Sequence, residues 1–174
     1  MWERWPFRLH GWLLSWLAKR RDVQGLMWYI QYLNRLLDSI PEDPFPLFNQ
    51  WAEAEHWILR FYAGRELSRC YANKPEKTRH LLYILAQDRH IRVREGVAWA
   101  GVTLLQKNFP ETWSWLARWC EDTTPEVRQT VAMILMPFIQ EKTLPAFVQP
   151  HVQKLQLDSH QLVSMITKRW NEAD

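Results

Sequence analysis

One segment of this chain is written twice, 34 positions apart, and that spacing limits the fold more than any other feature. Asp88, Val93, Arg94, Val97, Ala98 and Gln106 recur as Asp122, Val127, Arg128, Val131, Ala132 and Gln140. A fixed period of this size marks stacked helical hairpins, because a single hairpin carries an apolar face that only its neighbour can cover. A fainter copy precedes these two. Leu59-Arg60 and His56 stand 34 positions before Val93-Arg94 and His90, with Ala54 in the place of Asp88. After them the register slips, since Asp158 and Val163 echo Asp122 and Val127 at 36 positions. The chain has only five glycines in 174 residues and few paired turn signals, which argues against an all-β fold. The expectation is an all-α chain of about four to five stacked antiparallel helix pairs.

Taken in order, residues 1–174 read as one domain. Residues 1–40 form an N-terminal two-helix cap. Its first helix, about 6–19, carries the stripe Leu9, Trp12, Leu13, Trp16 and Leu17, and its second, about 22–37, carries Met27, Ile30, Leu33 and Leu37 behind Asp22 as N-cap. Three prolines in residues 41–46 end the cap. Residues 47–72 are the degenerate repeat. Residues 75–107 and 110–140 are the two full repeats, opened by Pro75 and Pro110 at early helical positions. The string Asp122-Thr-Thr-Pro-Glu starts the second helix of the latter, and Pro137 is expected to kink it or end its regular bonding. Residues 143–171 supply a last, irregular pair.

The strings Leu-Ala-Gln-Asp-Arg-His-Ile-Arg-Val-Arg-Glu (85–95) and Arg-Trp-Cys-Glu-Asp-Thr-Thr-Pro-Glu-Val-Arg-Gln (118–129) resemble the HEAT repeat family. The resemblance implies an acid in the turn of each hairpin, an Arg in its second helix, and a ladder joining Asp and Arg of neighbouring repeats. It also implies a short right-handed α-solenoid whose second helices line a concave face. Elementary chemistry agrees: an Asp accepts the orphan amides of a helix start, and an Arg fork reaches a carboxylate in the next layer. Asp88, Arg94, Asp122 and Arg128 therefore read as residues that hold the stack together. A basic block adds a second likeness. Residues 60–94 hold nine Lys/Arg against three Asp/Glu, and the chain has twelve Trp. In length, Trp content and this block it is loosely similar to HEAT-like DNA glycosylases of alkylation repair, which implies DNA held on a basic concave face. No residue is identified as their catalytic acid.

The candidate binding face lies beside the motif. In the helix after Asp88, Val93, Val97, Gly101, Leu104 and Leu105 share one stripe, while Arg92, Glu95, Trp99, Thr103 and Gln106 fall opposite. Trp99 is the large aromatic among polar neighbours, and its equivalents 34 positions away are Arg65 and Met133. A groove of Phe61, Arg65, Arg69, Arg92, Glu95, Trp99 and Met133 follows, in which aromatic and Arg side chains would anchor a partner. Lys74, Lys77, Arg79 and Arg89 are the candidates for a phosphate-contacting rim. The first reading is a non-enzymatic module that binds a protein segment. The alternative is a DNA-binding or DNA-repair protein.

No HExxH, CxxC, Walker, GxGxxG or GxSxG string occurs, so no catalytic residue, metal ligand, cofactor or small-molecule substrate is identified. Cys70 and Cys120 read as reduced thiols of a cytoplasmic protein. A membrane role is not expected, since no apolar run approaches the ~20 residues of a span.

Overall fold

The computed structural model describes residues 23–38 and 43–171. The expected helix at 6–19 and the proposed N-cap Asp22 lie outside the described residues. What is described is all-helical: α1 (Val23–Asp38), α2 (Phe45–Ala52), α3 (Trp57–Glu66), α4 (Pro75–Ala86), α5 (Ile91–Lys107), α6 (Phe109–Trp119), α7 (Pro125–Gln140), α8 (Gln149–Gln156) and α9 (Gln161–Asn171). Short 3-10 turns, Leu67–Cys70 and Ala146–Val148, follow α3 and precede α8.

Proline and polar caps set several starts. Pro75 and Pro125 each take the first position of their helix, where a missing N–H costs no intrahelical bond. Asn108 Oδ1 accepts the Glu111 N–H to open α6. The starts of α3, α5 and α9 are different. There the imidazoles of His56, His90 and His160 each accept, at Nδ1, the N–H two residues on (Ile58, Arg92 and Leu162, all at 3.3 Å). The acids of the motif, before α5, α7 and α9, sit two residues ahead of the capping position. Asp88, Asp122 and Asp158 accept the N–H of His90, Thr124 and His160, each at 2.8 Å. Such a bond closes an Asx turn. The acid shapes the turn, and where a His follows, the imidazole caps the helix.

A cap made by imidazole works only while Nδ1 is unprotonated, and a positive charge at a helix N-terminus opposes the macrodipole. Burial, with help from the charges of Arg60 and His90, holds His56 below the usual imidazole range, against Glu55. The folded state thus binds the proton less readily than the unfolded chain. Stability is complete above about pH 6.5 and falls as the pH drops below it. Urea midpoints measured from pH 7.5 to 5 are expected to decline, with His56→Asn, a cap that does not titrate, flattening the profile by up to about 1 kcal/mol. A profile unchanged by that substitution would remove His56 from the account.

Packing follows the repeat. The second helices contact one another in succession, α3 on α5, α5 on α7 and α7 on α9. The first helices lie alongside: α2 against α3 and α4, α4 against α5, α6 against α5 and α7, and α8 against α7 and α9. Between them Val93, Val97, Val127 and Val131 are at most 1% exposed. Each such side chain contributes about 1.5–3 kcal/mol by leaving water. The closest approach is between α3 and α5. A Cβ on Gly96 would lie 2.5 Å from the Phe61 carbonyl oxygen, and one on Gly64 would lie 3.1 Å from the Val97 nitrogen. The sequence directs attention to Gly101, yet a Cβ there meets only the side chain of Ile134. Pro137 does not end α7, which runs on to Gln140. The helix α1 joins the core through Tyr29 and Leu33, and its Asn34 accepts from Arg65.

Candidate functional site

The ladder residues come first, because they fix the helices that carry the site. Arg60 grips Asp88 with a two-pronged bond, Nε to Oδ2 at 2.6 Å and Nη2 to Oδ1 at 3.2 Å. Arg128 grips Asp158 in the same geometry, 2.6 and 3.2 Å. Each Nη1 also donates to the carbonyls of the preceding turn: Ala54 and Glu55 for Arg60, Asp122 and Thr123 for Arg128. Burial pushes the carboxyls of Asp88 and Asp158 up. The bonds from Arg60 and Arg128, from the His90 and His160 amides, and the nearby positive charges outweigh it and hold both below the usual carboxylate range.

The middle rung is built differently. Arg94 does not reach Asp122. Its Nε and Nη2 donate to Gln129 Oε1 at 3.0 and 2.6 Å, and its Nη1 donates to the Asp88 carbonyl at 2.6 Å. Asp122 instead accepts from the Tyr83 hydroxyl at 2.9 Å. Arg94 is 3% exposed and forms no ion pair among the described residues. Burial pulls its pKa down, with Glu126, Asp88 and Glu95 acting against that shift from a distance. Gln129 passes the bond on, donating from Nε2 to the Leu162 carbonyl at 3.0 Å.

Directly beside this middle rung lies a groove of about 490 Å³ formed by α5, α7 and α9. From α5 come Ile91, Glu95, Trp99 and Val102; from α7 Gln129, Met133, Met136 and Pro137; from α9 Met165, Ile166 and Arg169. The rows follow the repeat, with Glu95 aligned to Gln129 and Trp99 to Met133 at 34 positions. At the slipped interval of 36, Gln129 aligns to Met165 and Met133 to Arg169. Trp99 is 67% exposed and Met165 53%. Glu95 accepts from Arg92 at 2.8 Å. Arg169 is exposed and has no hydrogen bond or ion pair among the described residues.

Of the expected groove residues, the structure brings Glu95, Trp99 and Met133 together and sets Arg92 beside them through its pair with Glu95. Phe61, Arg65 and Arg69 stand apart. Arg65 lies over the rings of Tyr62 and Phe61, and both Arg65 and Arg69 bind the carboxylate of Glu66 at 2.6 and 2.8 Å. Arg69 sits in the 3-10 turn beyond the end of α3. Among the lining residues that the sequence did not point to are Ile91, Val102, Met136, Met165, Ile166 and Arg169. The 36-residue echo of Asp122 in Asp158, carried a few positions further, points to Met165 and Arg169.

The expected phosphate rim lies on α4 and its flanking turns rather than in the groove. Lys74 pairs with Asp43, and Arg79 pairs with Glu76. Lys77 and Arg89 form no ion pair among the described residues. The basic block of the sequence is therefore largely an ion-pair network once folded, and Arg60 and Arg94 belong to the framework.

Other chemistry finds little purchase. Cys70 and Cys120 are buried free thiols, pushed up by burial to about 11 and about 12, so neither supplies a thiolate near neutral pH. No group of three or more His, Cys, Asp or Glu among the described residues could hold a metal ion. No helix among them is long and apolar enough to cross a membrane. In comparisons with known proteins, no family model, curated protein or solved structure matches the chain.

Proposed function

We propose that this chain is a short HEAT-like α-solenoid that works as a non-enzymatic interaction module, seating a protein partner in the groove of α5, α7 and α9. The observation that carries the reading is Trp99, a large aromatic 67% exposed on the wall of an apolar cleft. Leaving that ring in water forgoes burial worth about 1.5–3 kcal/mol, and an exposed aromatic within an apolar patch is a common anchor of partner surfaces. Met133, Met136 and Met165 surround it with flexible thioethers that adapt to a bound side chain. The solenoid reading is supported by the succession α3, α5, α7, α9 and by the two Arg–Asp rungs that tie helix pairs together. The nucleic-acid alternative draws on Lys77 and Arg89 and loses support where Arg65, Arg69, Lys74, Arg79 and Arg92 are engaged by acids.

The test compares Trp99→Lys with the pair Lys77→Glu and Arg89→Glu in the full-length chain. A photo-crosslinker placed at Met133 is expected to capture a protein with the wild type and with the charge-reversed pair, but not with Trp99→Lys. Duplex, branched and single-stranded DNA are expected to show no binding that weakens steeply with salt. Salt-dependent DNA binding abolished by the charge reversals would replace this reading with the alternative.

A further inference from the structure

The groove also restricts the conformation and charge of what can occupy it. This step rests on the protein-binding reading and adds the class of partner. Its polar lining consists of Glu95, Gln129 and Arg169. Gln129 Oε1 is filled by two N–H groups of Arg94, and its Nε2 is turned to the Leu162 carbonyl. Glu95 is engaged by Arg92. What remains is Trp99, Ile91, Met133, Met136, Met165 and Ile166, which offer no regular row of donors and acceptors. An extended peptide pressed on this surface would leave its own N–H and C=O groups unpaired, at about 1–3 kcal/mol for each group buried. The described chain has no strand whose edge could pair with it. A helix satisfies its backbone internally and needs only an apolar stripe, so the groove fits the helix-in-groove mode of recognition.

Charge restricts the occupant separately. Among the described residues the cation of the lining, Arg169, has no hydrogen bond or ion pair, and beneath Gln129 lies Arg94, a buried guanidinium that Glu126, Asp88 and Glu95 reach only from a distance. Glu95, the one acid among the described lining residues, is offset by Arg92. Arg169 thus leaves the described lining with a net positive charge, and a low-dielectric wall strengthens its field. We propose that the groove binds an amphipathic helix whose apolar stripe packs on Trp99 and the three methionines and whose flanking carboxylate pairs with Arg169.

The test uses three synthetic peptides of about five turns and the full-length chain with labelled methionine methyls. One peptide has Leu at helical spacing flanked by Glu. The second replaces Glu by Lys, and the third is the Glu peptide interrupted by two prolines. The Glu peptide is expected to shift the methyl resonances of Met133, Met136 and Met165 and to bind at least about tenfold tighter than either of the others. Arg169→Glu, an exposed position, is expected to reverse the order of the Glu and Lys peptides. Equal binding of Glu and Lys peptides that Arg169→Glu leaves unchanged would overturn the charge assignment while sparing the groove as a protein site. A proline-interrupted peptide that binds as tightly would overturn the helix. If none of the three moves the methyls, the acidic-helix class falls, and the crosslinking experiment at Met133 then decides the broader reading separately.

Discussion

Arg60→Ala is expected to lower the free energy of unfolding by about 3–5 kcal/mol, read from urea midpoints at unchanged slope. The loss is large because removal of one partner strands the other. Asp88 has a side chain only 11% exposed and would lose both prongs of its bond, while the Ala54 and Glu55 carbonyls would lose their donor. Against a typical total of about 5–15 kcal/mol, this is a substantial share. The effect should also depend on pH with a defined sign. Asp88 is held below the usual carboxylate range, so the stability it contributes is present above about pH 4 and is lost as the pH falls through its folded value. The difference between wild type and Arg60→Ala should therefore shrink towards pH 3. The comparison that isolates the mechanism is Arg94→Met. The motif gives Arg94 the same position as Arg60, yet it holds an amide in place of a carboxylate and pays for burial of an unpaired charge. Its replacement should cost less than half as much, because the substitution removes that penalty along with the bonds. An Arg94→Met loss as great as that of Arg60→Ala would show that Gln129 serves as well as an acid.

Gly96→Ala is expected to destabilise the chain by about 2–3 kcal/mol, although alanine improves helix propensity by about 1 kcal/mol. The new methyl would meet the Phe61 carbonyl oxygen at 2.5 Å and the Arg65 nitrogen at 3.3 Å. Those atoms are backbone of α3, so relief requires the two helices to separate, which opens contacts along their length. A fall in melting temperature of roughly 5–10 °C should follow. Gly101→Ala provides the control. Its Cβ would also find atoms at 2.5 and 2.8 Å, but these are Cδ1 and Cγ1 of Ile134, a side chain rather than backbone, so relief does not require two helices to separate. Equal losses at the two positions would rule out backbone contact as the cause.

Much of the architecture was legible because helix periodicity and breaker residues act locally. The starts at Pro75, Pro125 and the Asp122 turn needed only the neighbouring residues. The exchange of roles between Asp and His did not show, because the two differ by which amide each reaches, and that depends on backbone angles. His56, His90 and His160 nonetheless recur at matching points before their helices, and this recurrence was available to be read as a set of caps. The ion pairing of the basic block did not show for a related reason. Two of its five acid partners among the described residues, Asp43 for Lys74 and Glu95 for Arg92, lie outside residues 60–94, and Glu66 holds two bases at once, so a count of charges in that window understated the pairing.

The sequence alone determined the helical class, the 34-residue spacing that aligns Glu95 with Gln129 and Trp99 with Met133, and the placing of Trp99 on a face opposite the apolar stripe. Each of these follows from periodicity, which a chain carries whatever its neighbours do. Only the tertiary structure decided where the rows stop. Glu66 draws Arg65 and Arg69 to itself at one end, and α9 brings Met165 and Arg169 in at the other. It also decided that Arg94 meets Gln129 while Arg60 and Arg128 meet acids. A repeat says which positions are equivalent, but the partner a charged side chain reaches depends on the distance and direction between layers, and those are set by how the helices pack.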